Sequence, residues 1–224
     1  MAKKGTIIFI KDGKLKTVYA HRNAELPKLG KSLVSLINEK GAAGLAEIYD
    51  RLTEANDEEP MTKEQAEAYR KYIPEKLWKE DLSWNEALGY TLDATRPLRD
   101  GFRYYVDYSS FIPAWRNRYR YAVDLDRGVL QIAKGGLEII AAATDEIDHS
   151  LGYPGRMATC VLAVYPFNAI PEDWLEQCEA KWKSLQLKAV PFDGLAEEGR
   201  RNESDAELQK DAAAMKYFIG VEGY

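Results

Sequence analysis

The stretch Gly5 to Ala20, GTIIFIKDGKLKTVYA, places Asp12-Gly13 between two β-prone runs, Thr6 to Ile10 and Leu15 to Tyr19. Asp-Gly in that setting is a strong hairpin signal, because the two-residue turn that matches strand twist needs positive φ at both positions. The chain therefore opens as a β-hairpin. Further on, Tyr119, Tyr121, Val123 and Leu125 alternate with Arg118, Arg120 and Asp124, and Phe102, Tyr104, Val106 and Tyr108 alternate with Arg103, Tyr105 and Asp107. Period two predicts half-buried antiparallel strands. Asp126-Arg127-Gly128 turns the chain into Val129 to Ile132, so a meander is expected. Thr159 to Tyr165 reads as a buried strand, and Leu137 to Ala143 reads equally as strand or helix.

Between the hairpin and these strands the apolar spacing becomes helical. Leu29, Leu33, Leu36 and Ile37 form one stripe, Gly41 interrupts it, and Leu45, Ile48, Tyr49 and Leu52 form a second. Thr62 with Gln65 and Ser83 with Glu86 have the spacing of capping boxes, and Pro74 ends the helix that the first opens. Pro171 stands at an expected first helical position ahead of Trp174, Leu175, Cys178, Trp182 and Leu185. Ser204 and Glu207 would cap a last, docked helix. These patterns predict one α+β domain over residues 1–224: a mainly antiparallel sheet, a helical insertion at about 30–90, and packed C-terminal helices with an extension at about 191–224.

Composition narrows the function classes. The chain has 224 residues, is 46% hydrophobic and 30% charged, and carries a net charge of −5. That is enough apolar material for a core, which predicts a soluble globular protein and gives no whole-molecule drive toward nucleic acid or anionic membranes. The longest uncharged run, Met157 to Pro171, is interrupted by Pro166 and Asn168 and is too short to span a bilayer. No secretory core follows the N-terminal lysines, and only Cys160 and Cys178 are present, so a cytoplasmic location is expected. With two cysteines and two histidines far apart, neither a metal site nor a cofactor is expected.

Several motifs invite chemistry. Gly30-Lys31-Ser32 lacks the spacing of a phosphate loop, since the required first glycine falls on Glu25, and so reads as a helix start. Asp124-Leu125-Asp126 has the form of the aspartate pair of haloacid-dehalogenase-like phosphatases, but Gly128 replaces the threonine that should follow, which favours a turn. His21 ends the second strand, where a ring titrating near neutrality could act as a base, and His149 lies in a polar loop. The segment Arg96 to Gly128 holds seven arginines, no lysine and eight of the 25 aromatic residues. Arginine interleaved with aromatics can hold nucleotides or single strands, and the same alternation describes an aromatic core face backed by an outer face of arginines paired with Asp107 and Asp124.

Gly5-Thr6, the hairpin, Val18-Tyr19-Ala20-His21, Pro27 and Leu29-Gly30-Lys31-Ser32-Leu33 resemble the N-terminus of a group of phage, bacterial and fungal proteins that begin Gly-Thr-Arg and continue Tyr-x-His-Trp-Asp-x-Tyr-Pro before a helix. The likeness covers roughly the first 35 residues, with Arg118 to Val129 similar to a later strand of the group. Here Arg22-Asn23 replaces the group's Trp-Asp, Ile7 its arginine and Leu26 its aromatic. The resemblance implies the fold and a phage-like origin; it implies no activity.

The leading expectation is a binding or protein-interaction module, with a protein partner favoured over a small molecule and nucleic acid not favoured. The residues leave two alternatives open: a hydrolase or transferase with a site around His21, Asp107 and Asp124, or nucleotide or single-stranded nucleic-acid binding on the Arg/Tyr strands. The binding candidates are Arg22, Asn23, Arg103, Tyr105, Arg118 and Arg120.

Overall fold

The computed structural model describes residues 3–56, 59–79, 81–106, 119–137, 147–148 and 158–188. The chain begins with strands β1 (Gly5–Lys11) and β2 (Lys14–Ala20), paired antiparallel from Gly5↔Ala20 to Lys11↔Lys14. Asp12 and Gly13 have φ of 53° and 66°, the two positive values that the tight turn requires. A single π turn, Leu26–Gly30, then feeds α1 (Lys31–Arg51). The two expected stripes form one helix broken at Gly41, whose φ of 60° and ψ of −177° leave the helical region.

The insertion continues with β3 (Thr53–Glu54), α2 (Lys63–Tyr69), short 3₁₀ turns at Arg70–Tyr72 and Glu75–Leu77, α3 (Trp84–Tyr90) and α4 (Thr95–Arg99). Both expected capping boxes are present at Thr62/Gln65 and Ser83/Glu86. After β4 (Tyr104–Tyr105) come β5 (Tyr119–Asp124), β6 (Val129–Leu137), β7 (Ile147–Asp148), β8 (Ala158–Pro166) and α5 (Trp174–Lys188). Pro171 precedes α5 instead of starting it, and its carbonyl accepts the Trp174 N–H at 3.1 Å. The expected helix after Ser204 and residues 138–143 lie outside the described residues.

The fold is α+β. Its main sheet has the order β2-β1-β5-β6-β8-β7, antiparallel throughout except for β1 and β5, which run parallel from Gly5↔Tyr119 to Ile10↔Asp124. Side-chain alternation is the same in either pairing sense, so the sequence pattern carried no sign of this parallel pair. One sheet face packs Ile7, Phe9, Tyr121, Val123 and Ile132 against Leu33, Leu36 and Ile48 of α1 and Trp174, Cys178 and Leu185 of α5. The opposite face is buried too at Thr6, Ile8, Ile10, Arg120, Ala122 and Ala133. Strands β1 and β5 are thus covered on both faces, and the expected outer, solvated face at Arg120 and Asp124 is absent: these residues are 0% and 3% exposed.

The expected strand at 102–108 is also corrected. Among the described residues 102–106 only Tyr104–Tyr105 is extended into a ladder, and it pairs parallel with β3 in a separate two-stranded sheet. Here aromatic packing overrides the period of two, because Phe102, Tyr105 and Val106 are all buried. Phe102 joins a second core with Tyr69, Tyr72, Ile73, Leu82 and Trp84. Tyr69 meets Phe102 edge to face at 4.8 Å and Tyr72 at 5.2 Å, a geometry worth about 0.5–1.5 kcal/mol per pair beyond burial.

Lys16 of β2 ties the two regions together. Its ammonium donates to the Tyr49 and Leu52 carbonyls, both at 2.7 Å, and so caps the C-terminal end of α1, where a cation is favoured. At the other end of the hairpin, Gly5 is wedged between neighbours: a Cβ there would lie 2.5 Å from the Tyr119 carbonyl oxygen and 2.7 Å from the Ala24 Cβ. Gly5→Ala is therefore expected to destabilise the protein by about 1–3 kcal/mol. Chemical denaturation checks this, and an unchanged midpoint would contradict the close β1–β5 approach.

Candidate functional site

The strand register sends the candidate residues to opposite ends of the sheet. His21 follows Ala20, which pairs with Gly5, whereas Asp124 pairs with Ile10. Five residue steps of β1 separate these levels, roughly 16–17 Å of strand. The structure does not bring His21 together with Asp124, and Asp107 lies outside the described residues, as do Arg118 and His149.

Asp124 and Asp126 work as a clasp between turns. The Asp124 carboxylate accepts the Arg127 N–H at 2.9 Å within the β5–β6 turn, and burial raises its pKa. Asp126 accepts the N–H groups of Asp12 and Gly13 at 2.7 and 3.0 Å, fastening the tip of the first hairpin to the second turn. Arg120 is fully enclosed in the sheet, paired in register with Thr6 and Ala133, which removes it from any surface stacking platform.

The other candidates gather at the far end of β2. Asn23, at a φ of 56°, donates its side-chain amide to the Leu92 carbonyl at 3.1 Å and accepts from Lys28 at 3.0 Å, while its own carbonyl accepts the Leu29 N–H. It thus joins the hairpin end to the π turn and to the loop between α3 and α4. The His21 ring lies edge-on to Tyr19 with centroids 4.4 Å apart. Its Nδ1 faces α3, 3.9 Å from where a Cβ on Gly89 would sit. Burial, then Lys4 and Arg22, pull the His21 pKa down to about 4, so the imidazole is neutral at pH 7.

Between this end of β2 and the insertion lies a narrow cleft of about 20 Å³, room for about one water. Val18, Tyr19 and Ala20 of β2 form one wall; Tyr104, Tyr105 and Val106 face them; Tyr69, Leu88, Thr91, Ala94, Pro97, Leu98 and Phe102 close the rest. Three consecutive strand residues can line one cavity only along the strand's edge, since their side chains alternate between faces. The cleft therefore follows the free-standing margin of the main sheet. Inside it the Thr91 hydroxyl donates to the Ala87 carbonyl at 3.0 Å and accepts from the Tyr69 phenol at 2.7 Å, leaving the phenol oxygen as an acceptor. Burial holds Tyr69 protonated, far above its ordinary titration range. Next to the lining in sequence, Arg103 lies over the Tyr104 ring at 4.9 Å and donates to its hydroxyl at 2.7 Å, and Leu92 is 53% exposed.

Four sequence candidates thus meet at this junction: Tyr105 lines the cleft, and His21, Asn23 and Arg103 contact residues that line or flank it. Arg22 is exposed beside His21. The lining residues Tyr19, Tyr69, Leu88, Thr91 and Ala94 were not foreseen, because capping boxes locate helices without telling which faces meet. Among the described residues no group of three or more His, Cys, Asp or Glu side chains could hold a metal ion, and no helix is long and apolar enough to cross a membrane. Comparison with protein-family models, curated proteins and solved structures finds no match to this chain.

The buried neutral His21 makes a pH-dependent contribution of definite sign. The unfolded chain takes up a proton near pH 6.5, whereas the native ring does so only near pH 4. Stability present above pH 6.5 is therefore lost progressively as pH falls toward 4. Relative to wild type, His21→Gln is expected to flatten the fall of Tm over this interval. Parallel curves for the two proteins would show that the ring is solvated in the native state.

Proposed function

We propose that this chain is a protein-interaction module that docks a partner on its surface beside the narrow cleft between β2 and the α3–α4 region, against the exposed Leu92. The carrying observation is Leu92, 53% exposed and adjacent in sequence to Thr91, which with aromatic and aliphatic residues lines the narrow cleft. A small molecule gains affinity by burying most of its surface in a deep pocket. A protein partner needs to bury only an anchor, with the surrounding surface excluding water. An exposed leucine next to a partly aromatic cleft offers a partner apolar surface, and aromatic residues are enriched at interface centres. The lining offers hydroxyls and apolar groups, and its deepest titratable group, Tyr69, stays neutral; recognition fits this chemistry better than proton transfer.

The test is selection of a phage-displayed random peptide library on the full chain, followed by affinity measurement of the enriched peptides. Two variants serve as controls: Ala94→Trp, which fills the cleft, and Leu92→Ser, which removes the apolar rim without touching the interior. Enriched peptides should share an aromatic or large apolar residue, and their binding should weaken about tenfold or more in either variant, the scale of one lost anchor contact. Circular dichroism melts establish that each variant is folded. Enrichment of no motif, or of one indifferent to both substitutions, would sink the proposal.

A further inference from the structure

Leu92 is the most exposed large apolar side chain among the described residues, and it stands on a short link, Thr91 to Ala94, between α3 and α4. Links of this kind have few packing contacts of their own and are usually among the more mobile parts of a fold. Here the backbone is tied on three sides. Before Leu92, the Thr91 N–H donates to the Leu88 carbonyl at 3.2 Å, and the Thr91 hydroxyl is fixed to the Ala87 carbonyl and the Tyr69 phenol. After it, the Asp93 carboxylate accepts from the Thr95 N–H and hydroxyl at 2.9 and 2.7 Å, and the Asp93 carbonyl accepts the Arg96 N–H at 3.2 Å.

The third tie comes from outside the insertion. The Leu92 carbonyl accepts the side-chain amide of Asn23, 69 positions away in sequence, at 3.1 Å. Asn23 is itself held: its side-chain oxygen accepts from the Lys28 ammonium at 3.0 Å, and its carbonyl accepts the Leu29 N–H at 3.1 Å. Its φ of 56° lies in the left-handed region, where glycine, asparagine and aspartate are at home. Glycine would satisfy that backbone and aspartate would also satisfy Lys28. Of the three, only asparagine adds a donor for the Leu92 carbonyl.

We propose that Asn23 is a positioning residue of the docking surface: it fastens the Leu92 backbone to the hairpin end, so that the leucine side chain meets a partner in one arrangement. The inference rests on the reading of Leu92 as a docking contact and adds how that contact is kept ready. A contact fixed before binding loses less freedom when the partner arrives, so the tie is expressed as affinity.

The experiment measures the affinity of library-selected peptides for the full chain in four forms: wild type, Leu92→Ser, Asn23→Gly and the double variant. Asn23→Gly keeps the positive φ without strain and removes the side-chain ties. Peptides whose binding depends on Leu92 should bind Asn23→Gly about threefold to tenfold more weakly, the scale of one lost hydrogen bond. In the Leu92→Ser background the same substitution should cost nothing further, because the side chain that Asn23 positions is gone. Asn23→Asp, which keeps an acceptor for Lys28 but cannot donate to Leu92, should match Asn23→Gly. In the free protein, amide hydrogen exchange at Leu92 and Asp93 should quicken in both Asn23 variants while β1 and β5 stay protected. Unchanged affinity or unchanged exchange in these variants, or an equal loss of affinity in both backgrounds, would overturn the positioning role and leave the docking surface standing. Selected peptides indifferent to Leu92→Ser, or no selected peptide at all, would overturn the docking surface itself.

Discussion

Strand β1 is hydrogen-bonded along both edges and covered on both faces, and the other elements are positioned from it. Ile7, Ile8 and Phe9 are completely enclosed, and burial of such side chains contributes about 1.5–3 kcal/mol each. The hairpin puts β2 on one edge and the parallel ladder puts β5 on the other. Because β5 starts level with Gly5, the chain must return to the same end of the sheet that β2 has just reached. The long connection between them is thereby brought back past that end, and the cleft forms where it does so.

The two ends of the sheet are fastened differently. At the Asp12-Gly13 tip, Asp126 gathers two backbone N–H groups of the opposite turn, and Lys11 pairs with Asp50 of α1. These contacts are short and polar. At the Ala20 end, Asn23 reaches the Leu92 carbonyl while aromatic rings fill the space between β2 and the insertion. The narrow cleft lies at this end, lined by Tyr69, Tyr104 and Phe102 of the aromatic packing together with Ala94, Pro97 and Leu98.

Much of the local structure was legible in the residues. The hairpin turn, both capping boxes, the Gly41 break and the β5–β6 turn each follow from a few adjacent side chains acting on their own backbone. The candidate site was legible only in fragments. His21, Asn23, Arg103 and Tyr105 stood out as residue types, but nothing in the spacing placed them together, and Asp124 belonged by type to the same group while lying at the opposite end. Arg120 shows the limit most directly. Alternation assigns it to the face opposite Tyr119 and Tyr121, and that is where it lies, but the pattern carries no information on whether that face meets water.

The sequence by itself determined where the chain turns, where helices begin, and which side chains share a face, because these depend on interactions among residues a few positions apart. Tertiary structure decided the parallel pairing of β1 with β5, the enclosure of both faces of these two strands, the removal of Phe102 and Val106 into a second core, and the gathering of a narrow, partly aromatic cleft. Each of these joins segments tens of residues apart. Local alternation looks the same whichever partner a strand finds, so only the closed geometry of the whole chain can choose between them.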